Sequence, residues 1–124
     1  MLRAVPKPTD TSSAVIDVRR AGASHVVAGT RHATFDNGSG LVAFWNWDGT
    51  MLEAGTDRFG LQPLFYFADE RRVAVGRDIP GLLAAGVSAR LDDGALGVFL
   101  RAGYFIGDDT PFASIRALPP GGHL

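Results

Sequence analysis

Glycine and proline punctuate this chain too often to leave room for long helices. Sixteen glycines and seven prolines fall among 124 residues, and the intervals between them suit short strands joined by turns. Ala14-Val15-Ile16-Asp17-Val18 and Ser24-His25-Val26-Val27-Ala28-Gly29 flank a turn at Arg20-Ala21-Gly22-Ala23, the pattern of a hairpin. Asp36-Asn37-Gly38-Ser39-Gly40 is the strongest turn signal, because Asn-Gly accepts a positive φ at low cost. Leu41 to Trp47 is an apolar run with two tryptophans and a phenylalanine, which fits a strand covered on both faces. Asp48-Gly49 is a hairpin turn and Thr50 to Gly55 its return strand. Pro63 to Phe67 is an aromatic strand, Ala68-Asp69-Glu70-Arg71 a polar turn, and Arg72 to Val75 the partner strand. Five or six short strands of this kind make an antiparallel meander in one sheet.

The texture then changes. Residues 79–86 read as a short helix, with Pro80 in the first turn and Gly86 as its carboxyl-terminal cap. Asp92 is an N-cap for a second helix from Asp93 to about Ala102, with Leu96, Phe99 and Leu100 at helical spacing. Residues 108–111 read as a loop, 112–118 are ambiguous, and Pro119-Pro120-Gly121-Gly122 is a rigid turn. The expected class is therefore α+β: an antiparallel sheet followed by helices that cover one of its faces. Three stretches divide the chain: a flexible leader over 1–13, a sheet domain over 14–90, and a helix with linker over 91–124.

Charge and composition exclude several functions. Twelve basic and thirteen acidic residues give a formal net charge of -1, which favours neither nucleic acid nor an anionic membrane surface. No run approaches the roughly 18 apolar residues that span a bilayer, and residues 1–13 hold no apolar signal core. A cytoplasmic location is the default expectation. The chain contains no cysteine, so it has no disulfide, no thiolate metal site and no cysteine nucleophile of its own.

Three blocks in one order carry a family resemblance. The first is Gly40-Leu41-Val42-Ala43-Phe44-Trp45-Asn46-Trp47-Asp48. The second is Thr56-Asp57-Arg58-Phe59-Gly60-Leu61-Gln62-Pro63-Leu64-Phe65-Tyr66. The third runs from Leu91-Asp92 through Pro119-Pro120-Gly121 to Leu124. With Gly76-Arg77-Asp78-Ile79 between the last two, residues 40–124 resemble the back half of the glutaminase domain of asparagine synthetases and the linker that follows it. Thr56 and Gln62 replace a family arginine and lysine. The motif residues that carry the likeness are Phe44, Asp48, Asp57, Arg58, Phe59, Gly60, Pro63, Leu64, Tyr66, Pro119, Pro120 and Gly121, and their expected role is structural.

The resemblance implies half of an amino-terminal-nucleophile sandwich with four αββα layers. In full-length relatives this domain strips ammonia from glutamine with a cysteine at the mature chain start. A second domain adenylates a carboxylate with ATP and magnesium and lets ammonia attack it. Relatives such as β-lactam synthetases and lasso-peptide cyclases keep the second domain while the front one has lost glutaminase activity. Here position 2 is Leu2, and too few residues precede Gly40 to hold the family's upstream arginine, Asn-Gly-Glu-Ile and Gly-Ser-Asp blocks. No Ser-Gly-Gly-x-Asp-Ser pyrophosphate loop is present either. The expectation is a truncated, non-catalytic glutaminase-like module with no catalytic, cofactor or metal residues, ATP and magnesium belonging to the missing synthetase domain. Its expected partner is a separately encoded adenylating domain, or a second copy. The alternatives are a fragment of a glutamine-hydrolysing asparagine synthase whose other parts are encoded separately, and a stand-alone Ser/Thr hydrolase.

Individual side chains favour plain roles. Asp57 beside Arg58 reads as a turn whose carboxylate accepts backbone N–H bonds. His25, His32 and His123 are too scattered for a metal site. Ser24 and Ser39 lack a nucleophile elbow, and Thr11, Ser12 or Ser13 would need processing to expose an α-amine as base. Phe44, Trp45, Trp47, Phe59, Phe65, Tyr66 and Phe67 read as core, or as a face left uncovered where a missing half would pack.

Overall fold

The structure is a computed structural model that describes residues 14–36, 42–57, 62–119 and 121. The leader 1–13, the turn at Asn37-Gly38-Ser39-Gly40, and Arg58, Phe59, Gly60, Pro120 and His123 lie outside the described residues. Among the described residues, eight strands and two helices follow in chain order: β1 (Val15–Ala21), β2 (Ser24–Gly29), β3 (His32–Asp36), β4 (Val42–Trp47), β5 (Leu52–Gly55), β6 (Phe65–Ala68), β7 (Arg72–Gly76), α1 (Ile79–Ala84), α2 (Asp93–Ala102) and β8 (Arg116–Ala117).

The α+β class is as the sequence suggests, and every described strand pairing is antiparallel. The sheet count differs. The strands form a five-stranded sheet in the order β2-β1-β7-β6-β8 and a three-stranded sheet in the order β3-β4-β5. The topology is not a meander, because β1 sits between β2 and β7, with Ile16 opposite both Gly29 and Val75. Two strands are additional: β8, from the ambiguous stretch 112–118, and β3, where only Ala33 and Phe35 turn inward and His32 and Thr34 stay exposed. Strand β4 also departs from the expectation of two covered faces. Ala43, Trp45 and Trp47 are buried while Val42, Phe44 and Asn46 are half-buried, the alternation of a strand with one core face.

The two sheets pack face to face. Ile16, Val18 and Val75 from the larger sheet meet Phe35, Ala43, Trp45, Trp47 and Ala54 from the smaller, with Leu64 and Leu118 closing the same cluster. Period-two alternation sends the other side of the larger sheet outward. There Ala74, Val15, Phe65 and Phe67 pack against Leu82, Leu83 and Ile79 of α1 and against Val87, Phe112 and Ile115. The described layers are thus sheet, sheet and helix, three layers where the family resemblance implies four.

Helix α1 is fixed at both ends. The Asp78 carboxylate accepts the Gly81 N–H at 2.7 Å, and proline occupies the first turn as expected. At the other end Arg72 reaches across from β7. Its Nη2 donates to Ala85 O at 2.8 Å while its Nε and Nη2 grip the buried Asp17 carboxylate at 2.9 and 3.1 Å. A fork of this geometry holds the sheet and the helix end with one guanidinium.

The crossing between sheets turns on Gly29. Its φ is +90°, and a Cβ placed there would lie 2.0 Å from the Val15 carbonyl oxygen. Thr30 N then donates to that same oxygen at 2.8 Å, and Trp45 Nε1 donates to Thr30 O at 2.8 Å. Gly29→Ala is therefore expected to cost on the order of 2–3 kcal/mol, from positive-φ strain plus a backbone clash. Urea unfolding followed by tryptophan fluorescence measures it; an unshifted midpoint would mean the corner tolerates a side chain.

Candidate functional site

The motif residues collect around Asp57. Strand β5 ends at Gly55, and Asp57 follows, buried. Its Oδ1 accepts the Gln62 N–H at 2.8 Å. Its main-chain carbonyl accepts the Gly121 N–H at 2.7 Å. Thr56 Oγ1 donates to Pro119 O at 2.9 Å, and Leu118 N donates to Leu64 O at 2.9 Å. Residues 118–121 are thereby tied to Thr56, Asp57 and Leu64, and β8 pairs with β6 so that Tyr66 faces Arg116. Pro63 is exposed and leads into Leu64, which is fully buried in the inter-sheet core.

One more group joins this knot. Gln62 is buried and its Oε1 accepts from Arg77 Nη2 at 3.4 Å. The Arg77 guanidinium lies over the Phe35 ring, 4.6 Å from its centroid. Sequence spacing gives no hint of this, because Phe35 lies in β3 of the smaller sheet while Arg77 follows β7 of the larger, more than forty positions later. Taken together, Asp57, Leu64, Tyr66, Pro119 and Gly121 meet in one region, while Phe44 and Asp48 do not. Phe44 lies mid-strand opposite Thr34 and Gly55, and Asp48 occupies the turn at the other end of β5.

Other chemistry-bearing residues have structural partners. Ser24 Oγ donates to Ala21 O at 3.0 Å and meets no base. His25 stands edge-on against Trp47, with ring centroids 5.2 Å apart. His32 Nδ1 hydrogen-bonds Asn46 Oδ1. Thr110 is buried, with its hydroxyl 2.7 Å from Ile115 O. No cluster of three or more His, Cys, Asp or Glu suited to a metal ion occurs among the described residues. No described helix is long and apolar enough to cross a membrane.

A family model described as a glutamine amidotransferase domain matches residues 22–124. The chain belongs to the glutamine amidotransferase domain family. The match takes in the Asp57 knot, the strands that build both sheets from β2 onward, and the tail through Gly121. No curated protein and no solved structure matches the chain. In this glutamine amidotransferase domain the Asp48 and Asp57 carboxylates accept backbone N–H groups, and Leu64 packs in the inter-sheet core.

Asp48 gives this reading a pH test. Its Oδ1 accepts the Thr50 N–H at 2.8 Å, the Met51 N–H at 2.7 Å and the Thr50 hydroxyl at 3.0 Å. Those bonds favour the ionised form and hold the carboxyl below its ordinary range, the Thr50 backbone bond first and the Met51 one next. A depressed folded pKa stabilises the turn at neutral pH, and that contribution is lost as pH falls through the lowered value. Carboxyl carbon NMR should find Asp48 titrating below an unfolded aspartate; a midpoint at the ordinary value would contradict the three-donor turn.

Proposed function

We propose that this chain is a non-catalytic glutaminase-like module that docks on a separately encoded, asparagine-synthetase-like adenylating domain. The observation that carries this reading is an apolar surface on and around α2. Leu91, Phe99, Leu100, Tyr104 and Ile106 are all exposed, Leu100 by 83%. Only Ala95 of the helix is buried, and Phe99 stacks on Phe105 at 4.7 Å with no core beneath them both. Single exposed apolar residues are ordinary, but five within sixteen positions form a patch of the kind that marks an interface.

Two further points support the partner class. Residues 91–124 resemble the linker that in asparagine synthetases leads into the adenylating domain. The 124 residues contain no cysteine, so a cysteine-dependent glutaminase step is beyond this chain's own side chains. ATP and magnesium would bind the partner, and this module would contribute surface and stability. Amide-bond formation, in asparagine, lactam or lasso-peptide chemistry, would be the activity of the whole assembly.

The test is a complex with the adenylating protein encoded in the same genome. Size-exclusion chromatography should show association at micromolar concentration. Leu100→Asp should weaken it by about tenfold or more, with little change in thermal midpoint because the side chain is already in solvent. The isolated chain should release ammonia from glutamine only at the background rate. No complex at about 10 µM (roughly -7 kcal/mol), or a Leu100→Asp variant that binds like wild type, would sink the proposal.

A further inference from the structure

A cavity of about 420 Å³ opens between the sheets at the end remote from the Asp57 knot. Its floor is apolar: Val18 and Trp47 are buried, and Leu52 and Val73 pack against the same cluster. Its rim is charged and comes from three turns. Arg20 lies near the end of β1, Glu70 and Arg71 sit in the β6–β7 turn, and Met51 precedes β5. Arg20 N donates to Arg71 O at 2.8 Å, which sets the two arginines side by side.

Most charged groups nearby are already engaged. Asp69 Oδ1 accepts the Arg71 and Arg72 N–H groups at 2.8 Å each. Arg72 and Arg19 both bond Asp17. Among the described residues, the side chains of Arg20, Arg71 and Glu70 have no hydrogen-bond or ion-pair partner. Two free guanidinium groups and one free carboxylate therefore ring an aromatic, apolar hollow of single-ligand size.

We infer that this cavity binds a free α-amino acid with a bulky apolar side chain. Charge complementarity identifies the occupant: Arg20 and Arg71 take its carboxylate, Glu70 its ammonium, and the side chain lies on Trp47 and Leu52. A peptide carboxyl terminus or a fatty carboxylate would satisfy the arginines and leave Glu70 unanswered. The rim groups are exposed, so the affinity is modest and the selectivity comes from meeting both charges at once. The inference does not depend on the docking proposal, since no residue of α2 or its flanks lines this cavity and the test uses the isolated chain.

L-phenylalanine is the probe, titrated into the full chain by calorimetry and by tryptophan fluorescence. Saturable binding is expected. Phenethylamine, 3-phenylpropanoate and N-acetyl-phenylalanine, each lacking one charge, should bind about tenfold more weakly or worse. An Arg20→Gln/Arg71→Gln variant should lose affinity by a similar factor at an unchanged thermal midpoint, and Glu70→Gln should erase the preference over N-acetyl-phenylalanine. Absence of saturation up to about 10 mM (roughly -3 kcal/mol) would overturn the inference. So would equal binding of the singly charged analogues or an unaffected double variant.

Discussion

Gly29 is where the fold divides. A chain running up β1 and back along β2 has to leave the larger sheet before it can start the smaller one, and it leaves at a point pressed against Val15. The 2.0 Å separation between a notional Cβ and the Val15 carbonyl means that only glycine passes there without moving β1. The next residue, Thr30, then bonds both neighbours: its N–H to Val15 O and its C=O from the Trp45 indole. Trp45, almost wholly buried, is thus located by a hydrogen bond to the crossover it packs beside. The face-to-face packing of the sheets, the cavity at one end and the Asp57 knot at the other all follow from that crossing.

A second constraint holds the outer layer. Asp17 is a buried carboxylate in the middle of β1, and such a charge is costly unless it is paired and hydrogen-bonded. Arg72 meets it through two nitrogens, and Arg19 adds a contact from its exposed position. The same Arg72 satisfies the carbonyl of Ala85, one of the orphan groups at the end of α1. A short helix with little intrinsic stability is therefore locked to the sheet by its Asp78 cap, its Leu82 contact and this guanidinium.

What was legible in the sequence was local. Turn chemistry at Asp48-Gly49, the Pro80 start of α1, the Asp92 cap of α2, which accepts the Ala95 N–H at 3.0 Å, and the Asp57 carboxylate's bond to a backbone N–H all depend on residues a few positions apart. What was not legible was long-range. Strand β3 escaped because its inward set is only Ala33 and Phe35, too sparse beside His32 and Thr34 to register as alternation. The partition into two sheets depends on β1 pairing with β7 across the whole smaller sheet, and no local pattern encodes that. The Asp17–Arg72 pair and the Arg77–Phe35 stack likewise join residues far apart in the sequence. The motif residues were found because a family pattern marks them, and their physical role emerged only from their partners.

The exposed surface of α2 is the part of the fold whose order most needs a reason. Nothing in its own burial holds it, since Ala95 alone is fully covered. It is anchored from its flanks instead. Leu91 bridges Phe112, Asp92 N donates to Pro111 O at 2.8 Å, and Ala113 N donates to Arg90 O at 2.8 Å. At the far end Gly103, with φ +83° and its N–H on Phe99 O, stops the helix. Beyond it, Arg116 bonds Asp109 at 2.6 Å and Ala117 N meets Asp108 O, which returns the chain to β6. Leu91, Phe99, Leu100, Tyr104 and Ile106 are therefore exposed on a segment tied down at both ends, unlike a frayed tail, whose apolar residues would be exposed because its backbone is loose.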